Sequence, residues 1–354
     1  MMEKKNVNIC DVCDEIFAGG DAPKSKFSKK RTDDFPIPIY SNGEAENGLY
    51  GYTNFSRVNV PSITVSARGT IGYTAIRYEP FVPIVRLITL VPKTDVIDIK
   101  YLYYATQNYS FMDSGTSIPQ LTVPMLKKYS FPLPNMEKQK HIANILDKLT
   151  DLIDKRKKQL EKLDELVKAR FVEMFGDPIR NTKKKETKKL KDVLILRAGD
   201  FTVASDISKE PTEVNKYPCY GGNGIRGYVS DYNQEGNYSL IGRQGALSGN
   251  VQYVSGCFKN TEHALLVTPI IEMDSIWLNQ LLSNLDLKRY QTGAAQPGLS
   301  VKNLQEVQII SVPIDEQHKY SKFIKLVIKS KSEVQKGLEK LELLKNALMQ
   351  EYFG

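Results

Sequence analysis

Residues 137–175 read EKQKHIANILDKLTDLIDKRKKQLEKLDELVKARFVEMF, a run without proline or glycine and rich in strong helix formers. Alternating steps of four and three from Ile142 land on Leu146, Leu149, Ile153, Arg156, Leu160, Leu163, Val167, Arg170 and Met174. Eight of these ten positions are apolar, which is the seam of a coiled coil. At 1.5 Å per residue the stretch predicts a rod of roughly 58 Å. The pattern returns 178 residues later at Tyr320, Ile324, Val327, Lys331, Val334, Leu338, Leu341, Lys345, Leu348 and Tyr352. Phe175-Gly176 becomes Phe353-Gly354. Each seam alone would leave an apolar stripe in water, and the simplest partner for one helix is the other. Arg156, Arg170, Lys331 and Lys345 interrupt the seam, as polar residues that fix register do.

The duplication extends into the segments before the helices. Ile9-Cys10-Asp11-Val12 matches Leu190-Lys191-Asp192-Val193, and Ile37-Pro38-Ile39-Tyr40 matches Tyr217-Pro218-Cys219-Tyr220 before a turn containing Gly and Asn. ITVSARGTIG at 63–72 matches LIGRQGALSG at 240–249. β-rich runs follow at 81–91 and 263–267, then short helices near 99–107 and 276–285. A final strand, 129–132 or 307–313, leads into each long helix. The sequence therefore predicts an α+β protein with an internal duplication: a mixed α/β domain at 1–136, a helix at 137–176, a second domain at 192–314 and a helix at 315–354. Residues 177–191, DPIRNTKKKETKKLK, carry six lysines and read as a basic, solvated linker.

At 354 residues the chain can build two real cores, and its net charge of +8 suits a polyanionic partner. No apolar run of eighteen residues is present, so no membrane span is expected, and MMEKKNVNIC lacks a signal-peptide core. The four cysteines fit free thiols in a reducing cytoplasm. Cys10 and Cys13 have CxxC spacing, but His141, His263 and His318 are distant, so no metal site is expected.

Catalytic motifs are not found. Gly222-Asn223-Gly224-Ile225-Arg226-Gly227 fits GxGxxG, yet Tyr228-Val229-Ser230-Asp231 after it reads as strand and turn, not as the helix that would meet a pyrophosphate. The sequence has no GxxxxGK[ST] loop and no Asn/Asp-Pro-Pro-aromatic motif for a flipped base. The candidates that remain are loops at strand ends mixing Gly with polar and basic residues. Ser66-Ala67-Arg68-Gly69-Thr70 and Gly242-Arg243-Gln244-Gly245 place Arg and Gln, the side chains that bond a guanine or adenine edge, beside flexible glycines. Gln120, Lys127, Lys128, Gln296 and Lys302 lie in or just after a second pair of loops, and Asn223 and Arg226 lie in the Gly-rich turn. The bland alternative for all of them is turn chemistry with solvated charge.

Taken together these residues resemble the specificity (S) subunit of type I restriction-modification systems over essentially the whole chain. The most specific matches are TGAAQPGLS at 292–300 with its degraded partner at 114–122, the Glu316-Gln317 and Glu137/Gln139 helix starts, and the repeated Phe-Gly endings. Ile118 stands where the second copy has Gln296. The resemblance implies two target recognition domains, joined by an antiparallel coiled coil, that bind double-stranded DNA without catalysis. It implies different half-sites, a spacer set by the rod, two methyltransferase (M) subunits docked on the helices and a restriction (R) subunit joining them. S-adenosylmethionine, ATP and magnesium would then belong to those partners. A coiled-coil protein scaffold, or a methyltransferase or nuclease with its own recognition domain, are the rival readings.

Overall fold

The computed structural model describes residues 6–109, 120–245, 247–293 and 298–354. The chain forms two compact units, one from Met1–Lys157 with Lys336–Gly354, the other from Lys158–Gln335. In chain order the first contains β1 (Asn6–Asn8), β2 (Cys13–Ala18), β3 (Ile37–Tyr40), β4 (Leu49–Thr53), β5 (Ser62–Val65), β6 (Thr74–Arg77), β7 (Val82–Pro83) and β8 (Ile88–Pro92). Helices α1 (Ile99–Asn108) and α2 (Val123–Leu126), strand β9 (Ser130–Pro132) and the long α3 (Met136–Phe175) follow. The second repeats this as β10 (Thr187–Lys189), α4 (Leu190–Val193), β11 (Leu194–Ala198), β12 (Tyr217–Gly221), β13 (Gly224–Val229), β14 (Gln234–Gly242), β15 (Val251–Asn260) and β16 (Ala264–Pro269). It closes with α5 (Ser275–Ser283), α6 (Val301–Gln305), β17 (Gln308–Ile310) and the long α7 (Ile314–Phe353).

The two topologies coincide. β2-β8-β5-β6 in the first unit corresponds to β11-β16-β14-β15 in the second, and the hairpins β3–β4 and β12–β13 correspond as well. In the second unit β15 runs on to pair parallel with β12, giving one six-stranded sheet. In the first unit the matching strand is interrupted after Arg77, and β7 alone pairs with β3. Pro80 lies in that gap; having no N–H to donate, it cannot continue a ladder.

Both long helices start with the same anchor. Gln139 accepts a hydrogen bond from Asp98 N (2.8 Å) through Oε1 and donates from Nε2 to Pro134 O (2.9 Å) and Val96 O (3.1 Å). Gln317 accepts from Asp274 N (2.9 Å) and donates to Val312 O (2.8 Å). Asp98 and Asp274 in turn cap α1 and α5 through their carboxylates. Both glutamines are buried, so each amide satisfies loop backbone that water cannot reach.

The seam is where the heptads put it. Ile142, Leu146, Leu149, Ile153, Ile324, Val327, Val334 and Leu338 are buried, and Leu160, Leu163, Val167, Leu341 and Leu348 are half-buried. The helices pair antiparallel within each unit. In the first, Lys157 meets Glu342 (3.1 Å). In the second, Lys331 meets Asp164 (2.5 Å) and Tyr320 Oη donates to Val167 O (3.2 Å). Of the polar seam residues, Lys331 makes that cross-helix ion pair, Lys345 lies over the Tyr104 ring, Arg170 pairs along its own helix with Glu173, and Arg156 stays exposed.

Each helix end is a core residue of the unit it reaches. Phe171 and Phe175 join Trp277, Leu281 and Tyr320 in the second unit's core. Met349 and Phe353 join Tyr101, Leu102 and Phe131 in the first. The repeated Phe-Gly endings are thus plugs: the aromatic fills the core and the following Gly176 takes a left-handed φ of 82° to leave the helix.

Residues 177–191 correct the expectation of a solvated linker. Lys183 Nζ donates to the terminal α3 carbonyls of Glu173 and Met174, where a helix end attracts cations. Lys185 pairs with Glu316 (3.3 Å), β10 pairs with β17, and Lys189 and Lys191 share Glu306 (2.7 and 2.6 Å). Four of the six lysines, Lys183, Lys185, Lys189 and Lys191, thus find a carbonyl or carboxylate. The two-lysine grip holds the Glu306 carboxyl down to a pKa of about 2. Among the described residues no helix is long and apolar enough to cross a membrane.

Candidate nucleic-acid interface

The expected loops sit at one end of each sheet, where β5 ends beside Ala18 and Ile88, and β14 ends beside Ala264. In the first unit the turn after β5 closes through Ser66 N to Tyr73 O (2.8 Å) and Gly72 N to Ser66 O (2.9 Å). Gly69 and Gly72 supply the left-handed backbone that the turn needs. Ala67 is then gripped from two sides. Its N–H donates to Asn42 Oδ1 (2.7 Å), and its carbonyl accepts from Leu121 N (2.9 Å). Arg68, next in line and exposed, donates from Nη2 to Gln120 Oε1 at 2.9 Å. Thr70 is exposed on the same turn.

The β3–β4 loop completes this surface. Asn42 Nδ2 donates to Val85 O (2.6 Å), Gly43 N to Ser66 Oγ (3.0 Å) and Tyr73 Oη to Asn47 Oδ1 (2.6 Å). Glu46 and Asn47 have left-handed backbones, and buried Arg77 holds them there by donating to Asn47 O (2.8 Å) and Thr64 Oγ1 (3.0 Å). Its guanidinium lies 3.7 Å over the Tyr40 ring, and burial pulls its pKa below the ordinary arginine value.

In the second unit Gly242 N donates to Asn250 O (2.9 Å) and Gly249 N to Gly242 O (2.7 Å), the same closure as in the first. Arg243 N donates to His263 O (3.1 Å), and Arg243 O accepts from Leu299 N (2.8 Å). Gln244, exposed, bridges backbone-wise to Gly298, and its Oε1 lies 2.6 Å from His263 Nδ1. The ring's Nε2 faces Glu262 Oε1 at 2.9 Å. The β12–β13 tip packs here without side chains: a Cβ on Gly242 would fall 2.1 Å from Gly222 O. Asn223 is exposed on that tip, while Arg226 folds back over Gly221. The GxGxxG run is thus a strand turn, with Gly224 opening β13. Buried polar atoms without a partner among the described residues include Arg243 Nε, Ser248 Oγ, Asn260 Oδ1 and Glu262 Oε2, all at this end of the sheet.

The structure therefore joins Arg68, Thr70 and Gln120 in one cluster, and Asn223, Arg243 and Gln244 in the other. Gln296 and Ile118 lie outside the described residues. Lys127 and Lys128 fall elsewhere. Lys127 O lies 3.9 Å from Cys10 Sγ, beside the turn before β2, at the opposite end of the sheet from Ala18. Lys302 is exposed on α6, the helix that leads to the Glu306 ion pairs. In the first unit the chain runs the length of the domain between Leu121, bonded to Ala67, and Lys127, which carries Lys127 and Lys128 away. Asn42, Arg77 and His263 were missed. The Asn-Gly turn at 42–43 was a visible signal for the first, whereas nothing local marks a buried Arg or a strand-flanking His.

The family model for the type I restriction modification DNA specificity domain matches residues 1–165 and 182–343. The chain belongs to that specificity family. It is 34% identical to the specificity subunit of the type I restriction enzyme EcoprrI of Escherichia coli, over 72% of this chain and 68% of that protein. Its fold matches the crystal structure of a type I restriction-modification S subunit from M. genitalium, with a TM-score of 0.66, 19% identity and 99% and 96% of the two chains covered. A structure from work on assembly of the type I R-M system matches with a TM-score of 0.61, 14% identity and 98% and 97% coverage. As a type I specificity subunit the chain is a DNA sequence-recognition component with two recognition domains and is not itself the catalyst.

Proposed function

We propose that each recognition domain reads one half of a bipartite, asymmetric site in double-stranded DNA, and that the paired helices set the unread spacer. The observation that carries this reading is the pair of equivalent loop clusters with unlike side chains: Arg68, Thr70 and Gln120 in one, Asn223, Arg243 and Gln244 with His263 in the other. Same scaffold and different polar edges mean different half-sites. Two M subunits dock along the helices, an R subunit joins them, and S-adenosylmethionine, ATP and magnesium act on those partners in the cytoplasm. Leu152, Leu166, Leu326, Ile328, Leu343 and Leu344, exposed on α3 and α7, support docking there, because apolar groups left in water on a polar rod favour a partner. Exchanging residues 1–136 for those of a relative and mapping methylated sites in cells tests it. One half of the motif changes while the other stays; change in both, or in neither, refutes modular reading.

A further inference from the structure

Arg68 and Gln244 occupy the same place in the fold. Each follows a residue, Ala67 or Arg243, whose carbonyl accepts from a backbone N–H much later in the chain, that of Leu121 or Leu299. Each lies two residues beyond the same turn closure, at Ser66 or Gly242, and each is exposed. Each also has its side chain held by one neighbour, Gln120 Oε1 at 2.9 Å or His263 Nδ1 at 2.6 Å. His263 is itself steadied by Glu262 at 2.9 Å.

We propose that this is the base-reading position of both domains. Arg68 reads a guanine in one half-site, Gln244 reads an adenine in the other, and Gln120 and His263 are positioning residues that fix the planes of the two readers. The proposal rests on the DNA-reading function above and goes further by assigning base and residue. The hydrogen-bond inventory allows it. A guanidinium has five N–H groups, and one spent on Gln120 leaves enough for the two acceptors O6 and N7 of guanine. Gln244 keeps both Nε2 hydrogens for N7 of adenine and a second lone pair on Oε1 for the N6 amino group. Holding each side chain beforehand removes rotamer freedom that binding would otherwise have to freeze.

The test uses the full chain co-expressed with its methyltransferase partner and selection from a randomised duplex library. The wild-type motif contains a G·C pair in the half-site of the first domain and an A·T pair in that of the second, each read strictly. R68Q lowers the preference for that guanine by about 5- to 150-fold and leaves the other half-site intact; Q244R does the converse to the adenine. Q120E keeps the acceptor and keeps the guanine preference, whereas Q120L relaxes it without moving the melting midpoint; H263F relaxes the adenine position alone. An R68Q or Q244R complex that selects the wild-type motif unchanged overturns the assignment and leaves DNA reading standing. A wild-type complex that selects no motif at all overturns both.

Discussion

The ends of the long helices give the sharpest structural prediction, because each is expected to stabilise the unit at which it ends, not the one from which it departs. Phe175 is fully buried, with ring centroids 5.1 Å from Phe171, 5.5 Å from Tyr320 and 6.2 Å from Trp277. Phe175→Ala removes a whole buried ring and its edge contacts, which costs about 3–5 kcal/mol. For a unit of this size that lowers the midpoint by roughly 6–20 °C. Phe353 is 4% exposed and faces the Tyr101 ring at 5.0 Å, so Phe353→Ala falls toward the low end of the same range, about 3 kcal/mol. The chain's one tryptophan, Trp277, lies in the second unit's core and separates the two cases. Its fluorescence midpoint in denaturant drops in Phe175→Ala and stays in Phe353→Ala, while limited proteolysis of residues 6–109 accelerates only in Phe353→Ala. A Phe175→Ala variant whose tryptophan midpoint moves by less than about 1 kcal/mol would refute the plug.

Two further outcomes follow from titratable groups. Glu306, pulled from 4.5 to about 2 by Lys189 and Lys191, contributes stability that is present above its unfolded value and is lost as pH falls through the folded one. The second unit therefore weakens between about pH 4.5 and pH 2, and Glu306→Gln flattens that part of a denaturation-midpoint profile; an unchanged slope contradicts it. Burial pushes the Cys13 thiol up to about 12, while Cys10 is exposed, so a thiol reagent at pH 8 labels Cys10 promptly and Cys13 only after unfolding, read by mass spectrometry. Equal labelling rates would contradict the packing around Cys13.

The helices were legible because a heptad is a local, periodic signal, and the 178-residue repeat exposed the duplication without any contact information. The loops at the strand ends were legible for the same reason, since Gly beside Arg or Gln marks a turn that approaches something closely. The failures share a different cause. Lys185, Lys189 and Lys191 read as solvated because their partners, Glu316 and Glu306, lie more than a hundred residues away. Lys127 and Lys128 group in sequence with the loop that precedes them, yet by Lys127 the chain has already crossed the domain. His263 is adjacent to Gln244 only through the pairing of β14 with β16, which no spacing rule reveals.

The most direct measurement of the ruler is a matched insertion. One heptad placed after Lys157 in α3 and one after Gln335 in α7, at the boundaries of the two units, preserves the seam phase. Seven residues lengthen a helix by about 10.5 Å, which is roughly three base pairs of duplex. Methylation mapping should return both half-sites unchanged with a spacer about three base pairs longer; the original spacer would contradict the claim that the paired helices set it.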